Sequence, residues 1–361
     1  MKINFAFLTG ERSDYGIAKP LLRKLNSDPD INMMVFPTGM HLLKEFGYTV
    51  NEIMEDGFKT TEFIYTYNSI REKSHQFSNS VKCIYDVMKE YTIDIVYIIG
   101  DRIEAYSGAL AAHFLNIPIA HYGGGAITQG AVDNVYRYNI TNLSDIHFAT
   151  SKNNYQRLLS SILLNKNSVY FTGSTAIDGI MKYKRNSTVD MPDNEYALMT
   201  FHPVTVGNEP IADIMNYAID ILLKNDRNVL ITYPNNDTGY EKIIDVILEW
   251  KSNERVIVKE SLGVKEYYSA LENCLFVIGN SSSGLIEAPY FNKPVLNIGS
   301  RQDGRDKDLG VYNVAATIES VDKTLATGFR SGWSKVACSK LYGEGDGVGK
   351  IINALKAFVN K

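Results

Sequence analysis

Apolar positions along the chain alternate between two patterns. Short, nearly unbroken apolar runs recur, and between them lie longer stretches in which apolar residues return every three or four positions. The first pattern predicts strands buried on both faces, the second amphipathic helices. In the first half the runs Ile3–Leu8, Ile31–Phe36, Ile95–Ile99 and Ile117–Ala120 read as strands, and His147 falls in another. Tyr15–Asn26, Lys73–Tyr91 and Ile103–Leu115 read as helices. The alternation restarts with strands at Tyr196–Phe201, Asn228–Tyr233, Leu275–Ile278 and Val295–Ile298. Helices are expected at Ile211–Leu223, Tyr240–Trp250, Val264–Glu272 and Ser283–Tyr290. Repeated β-α units of this kind specify an α/β fold with doubly wound parallel sheets.

The stretch 182–195 is charged, Asn-rich and contains Pro192, which marks a linker. Two Rossmann-like domains with a cleft between them are therefore expected, over 1–180 and 190–345. A last helix at Gly347–Val359 carries Ile351, Leu355 and Phe358 at helical spacing and is a candidate to join the first domain, as segment 347–361. The length of 361 residues suits two domains. With 37 basic and 41 acidic residues the net charge is 37 − 41 = −4. This argues against a nucleic-acid or polybasic membrane partner, while leaving room for a local basic pocket. Cys83, Cys274 and Cys338 are odd in number and widely spaced, so neither a disulfide framework nor a zinc pair is readable. The apolar start breaks at Glu11-Arg12, unlike a signal peptide, and no run approaches a membrane span. A cytoplasmic protein is expected.

Candidate chemistry collects where strands end, the place at which open α/β sheets bind ligands. Thr9–Gly16 follows the first strand; Gly10 permits a tight turn, and Arg12 beside a helix start can meet a phosphate. It is neither a GxGxxG fingerprint nor a Walker A loop. Gly100-Asp101-Arg102 offers a carboxylate that can act as acid, base or helix N-cap. His121–Gly130 contains three consecutive glycines and leads to Asp133, Asn134 and Arg137. In the second half His202-Pro203 follows one strand. Gly279-Asn280-Ser281-Ser282-Ser283-Gly284 follows another and opens a helix carrying Glu287, a candidate diphosphate cradle with a ribose acceptor. No HExxH, EF-hand or Cys/His cluster suggests a metal, and the serines do not form a GxSxG elbow.

The series TGERSDYG (9–16), TGMH (38–41), GDR (100–102), DNVYRYNIT (133–141), HPVT (202–205), YPNND (233–237), GNSSSGLIEAP (279–289) and NIGSRQDGR (297–305) resembles the UDP-N-acetylglucosamine 2-epimerase family, in family order over nearly the whole chain. The resemblance is greatest to the hydrolysing branch of the sialic- and legionaminic-acid pathways. It implies a GT-B fold with a UDP-sugar bound mainly by the second domain, no cofactor, and a homo-oligomer. Ser282, Ser283 and Glu287 then match contacts to diphosphate and ribose, and Arg12 matches a residue near the phosphates. Asp101, Asp133, Arg137 and His202 match positions lining the reacting sugar. Gly10, His41, Gly124, Asn280, Ser281, Gly284 and Arg301 complete the nucleotide-sugar set. The implied reaction removes the C2 proton, expels UDP to give a glycal-like intermediate, adds water at C1 and returns a proton to the opposite face of C2.

The sugar-side loop departs from the family. Where that branch reads HIHGGE and later D(D/E)xxRH, this chain has Gly123 for the second His, Ala126 for the Glu, Asn134 for the second carboxylate and Tyr138 for the His. Three readings stay open. Asp101 or Asp133 is the base for a modified substrate such as a di-N-acetylated 6-deoxy sugar. Or the chain is a GT-B nucleotide-sugar hydrolase or glycosyltransferase that leaves C2 alone. Or it binds a nucleotide sugar without turnover.

Overall fold

The computed structural model describes residues 2–44, 47–61, 63–64, 66, 73–128, 133–186, 196–204, 208–235, 239–260 and 262–360. The chain forms two compact units. The first comprises Met1–Ile127, Val132–Gly179 and Tyr342–Lys361, and the second Thr128–Ala131 and Ile180–Leu341.

The first unit contains β1 (Ile3–Thr9), α1 (Arg12–Asn26), β2 (Ile31–Pro37), α2 (Val50–Glu55), α3 (Lys73–Met88), β3 (Ile95–Ile99), α4 (Ile103–Phe114), β4 (Ile119–Tyr122), α5 (Asp133–Leu143), β5 (Ile146–Ala149), α6 (Lys152–Ser160) and β6 (Val169–Phe171). The unit boundary falls within α7 (Thr175–Asn186). The second unit contains β7 (Tyr196–Thr200), α8 (Ile211–Lys224), β8 (Asn228–Thr232), α9 (Tyr240–Trp250), β9 (Val256–Lys259), α10 (Gly263–Asn273), β10 (Phe276–Gly279), α11 (Ser282–Ile286), β11 (Val295–Ile298), β12 (Val311–Val314) and α12 (Ile318–Ser331). The last helix, α13 (Gly347–Val359), belongs to the first unit.

Each unit is built on a six-stranded sheet whose strand pairs are parallel, in the orders β2-β1-β3-β4-β5-β6 and β12-β11-β10-β7-β8-β9. The β-branched run of β3 is buried along its whole length, as a central strand covered on both faces requires. One core of the first unit gathers Phe5, Phe7, Tyr97, Tyr122 and Phe148 from four neighbouring strands, with Leu21, Leu22 and Leu25 from α1. Ile351, Ile352 and Leu355 of α13 complete it. Asp178 accepts hydrogen bonds from the Gly347 and Val348 amides at 3.2 and 3.1 Å, which satisfies two otherwise unpaired donors at the start of α13.

Several sequence expectations move: β4 lies two residues later than Ile117–Ala120, and α3 ends at Met88 rather than Tyr91. α1 begins at Arg12, three residues before Tyr15, because Ser13 and Asp14 are tolerated in a first turn where a carboxylate suits the helix dipole. The helix expected over Ser283–Tyr290 is a five-residue α-helix followed by a 3-10 turn at Ala288–Phe291, since Pro289 has no amide to continue the ladder. The expected linker lies largely outside the described residues, which resume at 196.

The two strand orders fix where chemistry can sit. In the first sheet the chain passes from β1 to β2 on one side, then returns to β3 on the other. In the second it runs β7-β8-β9 outward and returns to β10 beside β7. Connections leave the strand ends in opposite directions at these points, which opens a crevice at the carboxyl ends of β1/β3 and of β7/β10.

Candidate active site

At the first switch point the turn after β1 meets the turn after β3. Glu104, in the first turn of α4, is buried with its side chain wedged between two glycines. A Cβ on Gly10 would lie 2.7 Å from Glu104 Cβ, so no other residue fits there without displacing it. Arg102 joins the two turns: its Nη1 is 3.0 Å from Glu11 Oε2, and its Nε is 3.8 Å from Glu104 Oε2. Neither Glu104 nor Glu11 was singled out from sequence. The available signal was a second carboxylate three residues beyond Asp101.

Asp101 does not cap α4. Arg102 occupies the N-cap position, and the Asp101 carboxylate pairs with Arg137 from α5. Arg137 is buried and also donates to the Ala126 carbonyl at 2.8 Å and to Asn134 Oδ1 at 3.3 Å. Thus position 126 is tied into the network through its main chain. The loop reaches Arg137 because Gly125 adopts φ +75, where a Cβ would lie 2.5 Å from the Asn154 carbonyl. Gly124 is nearly as confined: a Cβ there would meet Thr141 Oγ1 at 3.1 Å and His121 Nδ1 at 3.2 Å. The side chain of Asp133 lies outside the described residues, as do Gln129 and Gly130.

His121 is a frame residue. Its Nε2 is 2.9 Å from the Gly100 carbonyl, which can only accept, so the ring proton sits on Nε2. Nδ1 then accepts from Thr141 Oγ1 at 3.1 Å. Burial lowers its pKa to about 3 and keeps it neutral. His41 is similar. Both ring nitrogens are engaged, by Thr9 Oγ1 at 2.9 Å and Thr49 Oγ1 at 2.8 Å, and burial lowers its pKa to about 4. Its place is to tie the ends of β1 and β2 together rather than to offer a ring nitrogen to a ligand. Arg12 is largely exposed at the start of α1, with Nε 3.7 Å from Glu52 Oε2.

At the second switch point Asn280 is fully buried and clamps the main chain of His202 from both sides. Its Oδ1 accepts from the His202 amide at 2.7 Å, and its Nδ2 donates to the His202 carbonyl at 2.9 Å. The Asn280 carbonyl accepts from Arg301 Nη1 at 3.2 Å and Gln302 Nε2 at 2.8 Å. Asn280 therefore aligns the turns that carry other candidates. His202 Nδ1 accepts from the Asn235 amide at 2.9 Å, placing its proton on Nε2. Burial and the Arg301 charge lower its pKa to about 3, so it is a neutral donor and not a cation.

Ser281 caps α11, accepting from the Ser283 amide, and Ser282 is the first residue of that helix. Gly284 packs against β11, where a Cβ would lie 3.1 Å from Val295 Cγ1. Ser283 Oγ donates to Glu287 Oε2 at 2.7 Å. The serine proton being used, the Tyr267 hydroxyl donates to Ser283. Burial raises the carboxyl pKa of Glu287 and the phenol pKa of Tyr267. Tyr267, from α10, was not read from sequence, because it lies on a helix with no local motif.

Comparison with known proteins identifies the family and the fold. The family model described as UDP-N-acetylglucosamine 2-epimerase matches residues 23–356. The chain belongs to that family. Among relatives of this epimerase, the UDP-N,N'-diacetylbacillosamine 2-epimerase (hydrolyzing) of Legionella pneumophila is 33% identical, over 94% of this chain and 92% of that one. The GDP/UDP-N,N'-diacetylbacillosamine 2-epimerase (hydrolyzing) of Campylobacter jejuni is 29% identical, over 84% of this chain and 82% of that one. The crystal structure of UDP-GlcNAc 2-epimerase from Neisseria meningitidis bound to UDP-GlcNAc has a TM-score of 0.81 at 19% identity, covering 99% of this chain and 100% of that one. The fold is accordingly GT-B-like, with two Rossmann-like units.

Proposed function

We propose that the protein is a hydrolysing 2-epimerase of a UDP-linked 2-acetamido sugar, releasing UDP and the 2-epimer. The observation that carries this is full-length similarity, at 33% identity, to a hydrolysing 2-epimerase named for a di-N-acetylated sugar. That relative favours a di-N-acetylated 6-deoxy sugar as substrate, with the product entering nonulosonic-acid or surface-glycan synthesis. A cytoplasmic homo-oligomer is the setting this reading implies.

The residues divide between two tasks. In the second unit Ser281, Ser282, Ser283, Gly284, Glu287 and Arg301 hold the nucleotide. Neutral His202 gives a hydrogen bond where negative charge develops on the departing UDP. In the first unit Asp101, paired with Arg137, removes the C2 proton. Asp133, four residues before Arg137 in sequence, is a second carboxylate, Gly10 and Gly124 let main chain approach the ligand, and Arg12 meets phosphate. Ala126 has no proton to exchange, so the acid–base work falls to carboxylates elsewhere. Their reach to the sugar is a matter of hydrogen-bond geometry first and pKa second.

Turnover in deuterated water tests the reading. UDP-N,N'-diacetylbacillosamine and UDP-N-acetylglucosamine are supplied in parallel, and products are read by NMR. A 2-epimer carrying deuterium at C2 is expected. UDP release with C2 configuration and hydrogen retained would overturn the epimerase reading in favour of simple hydrolysis.

A further inference from the structure

The carboxylates at the first switch point outnumber its cations. Glu11 and Asp14 come from the turn and helix after β1, and Asp101 and Glu104 from the turn and helix after β3. Asp101 is matched by Arg137, while Arg102 lies against both Glu11 and Glu104. Among the described residues Asp14 forms no ion pair. It sits in the first turn of α1, and its Oδ1 lies 3.8 Å from where a Cβ on Gly100 would stand. Because Gly100 has no side chain, nothing of that residue stands between Asp14 and the turn that presents Asp101.

A 2-epimerisation needs two groups in opposite protonation states. One takes the C2 proton, and another gives a proton back to the opposite face. Placing them in environments that push their protonation apart is the general solution. Here Asp101 is ion-paired with Arg137, while Asp14 lies near Glu11, Asp101 and Glu104 with Arg102 as the opposing charge.

Resting on the epimerase reading above, we propose that Asp14 is the acid that returns the proton to C2. Asp101 takes the C2 proton, the C2–H pair becomes the C1=C2 bond, and the C1–O bond to UDP breaks with its pair leaving on phosphate. The C1=C2 pair then takes the proton from the Asp14 carboxyl, forming the new C2–H bond. Water adds its oxygen to C1, and its surplus proton recharges Asp14. The proton held by Asp101 passes to solvent.

The electrostatics support the assignment. Burial, then the charge of Glu11, raises the Asp14 carboxyl well above its ordinary value; Asp101 and Glu104 act in the same sense, and Arg102 opposes them. The dipole of α1 also opposes, but a helix terminus contributes only ~0.3–1 kcal/mol. The shift favours the protonated carboxyl, the form that can donate a proton.

The test is the ratio of products from Asp14→Asn, which keeps the shape and removes the proton. The wild type in deuterated water first establishes the reaction itself. Failure of UDP release or of C2 labelling there counts against the epimerase reading, not against Asp14 alone. Given a working wild type, Asp14→Asn should lower 2-epimer formation by about 100-fold or more. UDP release should continue and outrun it, with the unsaturated sugar accumulating. Asp14→Glu, which keeps the acid, should restore part of the 2-epimer. UDP and 2-epimer formed in equal amounts by Asp14→Asn, at whatever rate, would overturn the proposal. So would an Asp14→Asn chain that does not fold, which would mark the carboxyl as structural.

Discussion

At the scale of single residues, function rests on which polar atoms are already spent. Ser283 donates to Glu287 and receives from Tyr267, so three side chains act as one relay. If Glu287 accepts from the ribose diol of UDP, Glu287→Ala leaves that diol without its acceptor. Calorimetry should then show UDP binding weakened by about 10- to 100-fold, the ~1.5–3 kcal/mol of hydrogen bonds to a charged group. Tyr267→Phe should weaken it less, because Ser283 can still donate to Glu287. A 2′,3′-dideoxy analogue of UDP should bind the wild type and Glu287→Ala alike. Discrimination against that analogue that survives in Glu287→Ala would place the ribose elsewhere. The motif made Ser283 and Glu287 legible in sequence. Tyr267 was hidden because its position depends on α10 packing beside α11, a contact between segments with no shared pattern.

At the scale of elements, turns with special backbone carry the site, and sequence shows these only in part. The glycine run 123–125 marked a close approach, yet gave no sign that the approach is to the Asn154 carbonyl or that Arg137 grips position 126. The GDR turn was legible as acid, base or helix cap, but not that Arg102 would take the cap position or that Arg137 of α5, thirty-odd residues downstream, would pair with Asp101. His41 was carried into the nucleotide-sugar set by the family resemblance alone, and His121 opened the glycine-rich loop without an assigned role. Their burial between hydroxyls and a carbonyl is long-range and invisible to local reading. Gly125→Ala tests the element. A left-handed backbone costs a residue with a Cβ ~1–2 kcal/mol, and the 2.5 Å approach to Asn154 adds displacement of the loop. Turnover should drop by at least about tenfold, with UDP affinity held within a factor of about three. Gly349→Ala, in α13 with nothing within 4 Å of the new Cβ, is the control. It should raise stability by ~0.5–1 kcal/mol and leave turnover unchanged. Equal turnover in the two variants would show that the loop does not position the chemistry.

At the scale of the whole molecule, strand runs separated by helices were enough to specify two parallel sheets, including the edge strand β2, while the other edges, β6, β9 and β12, were not read. The short β6 and β12 carry too few apolar residues to stand out, and β12 is half exposed. What the complete fold adds is a set of buried titratable groups with opposing effects on acid stability. Burial lowers His41, His121, His147 and His202 to about 4, 3, 4 and 3. Each unfolded imidazole binds a proton near 6.5. Between those values the unfolded chain holds protons that the folded chain does not, so these histidines cost stability as pH falls below 6.5. Glu11, Asp14, Asp178 and Glu287, raised chiefly by burial, act the other way, because their folded forms hold protons that unfolded carboxylates release. The wild-type pH curve mixes both, and a variant difference separates them. His147 is the cleanest choice. It lies inside β5, paired in register with His121 of β4, and its Nδ1 has no hydrogen-bond partner among the described residues. His147→Leu removes one depressed imidazole and one unsatisfied buried atom. In urea unfolding followed by far-UV circular dichroism, its stability relative to wild type should be higher at pH 5 than at pH 7 by about 2 kcal/mol, the linkage expected for a proton excluded across 1.5 pH units. A difference that is the same at both pH values would mean that His147 takes up its proton without unfolding, and that the buried histidines do not set the acid limb.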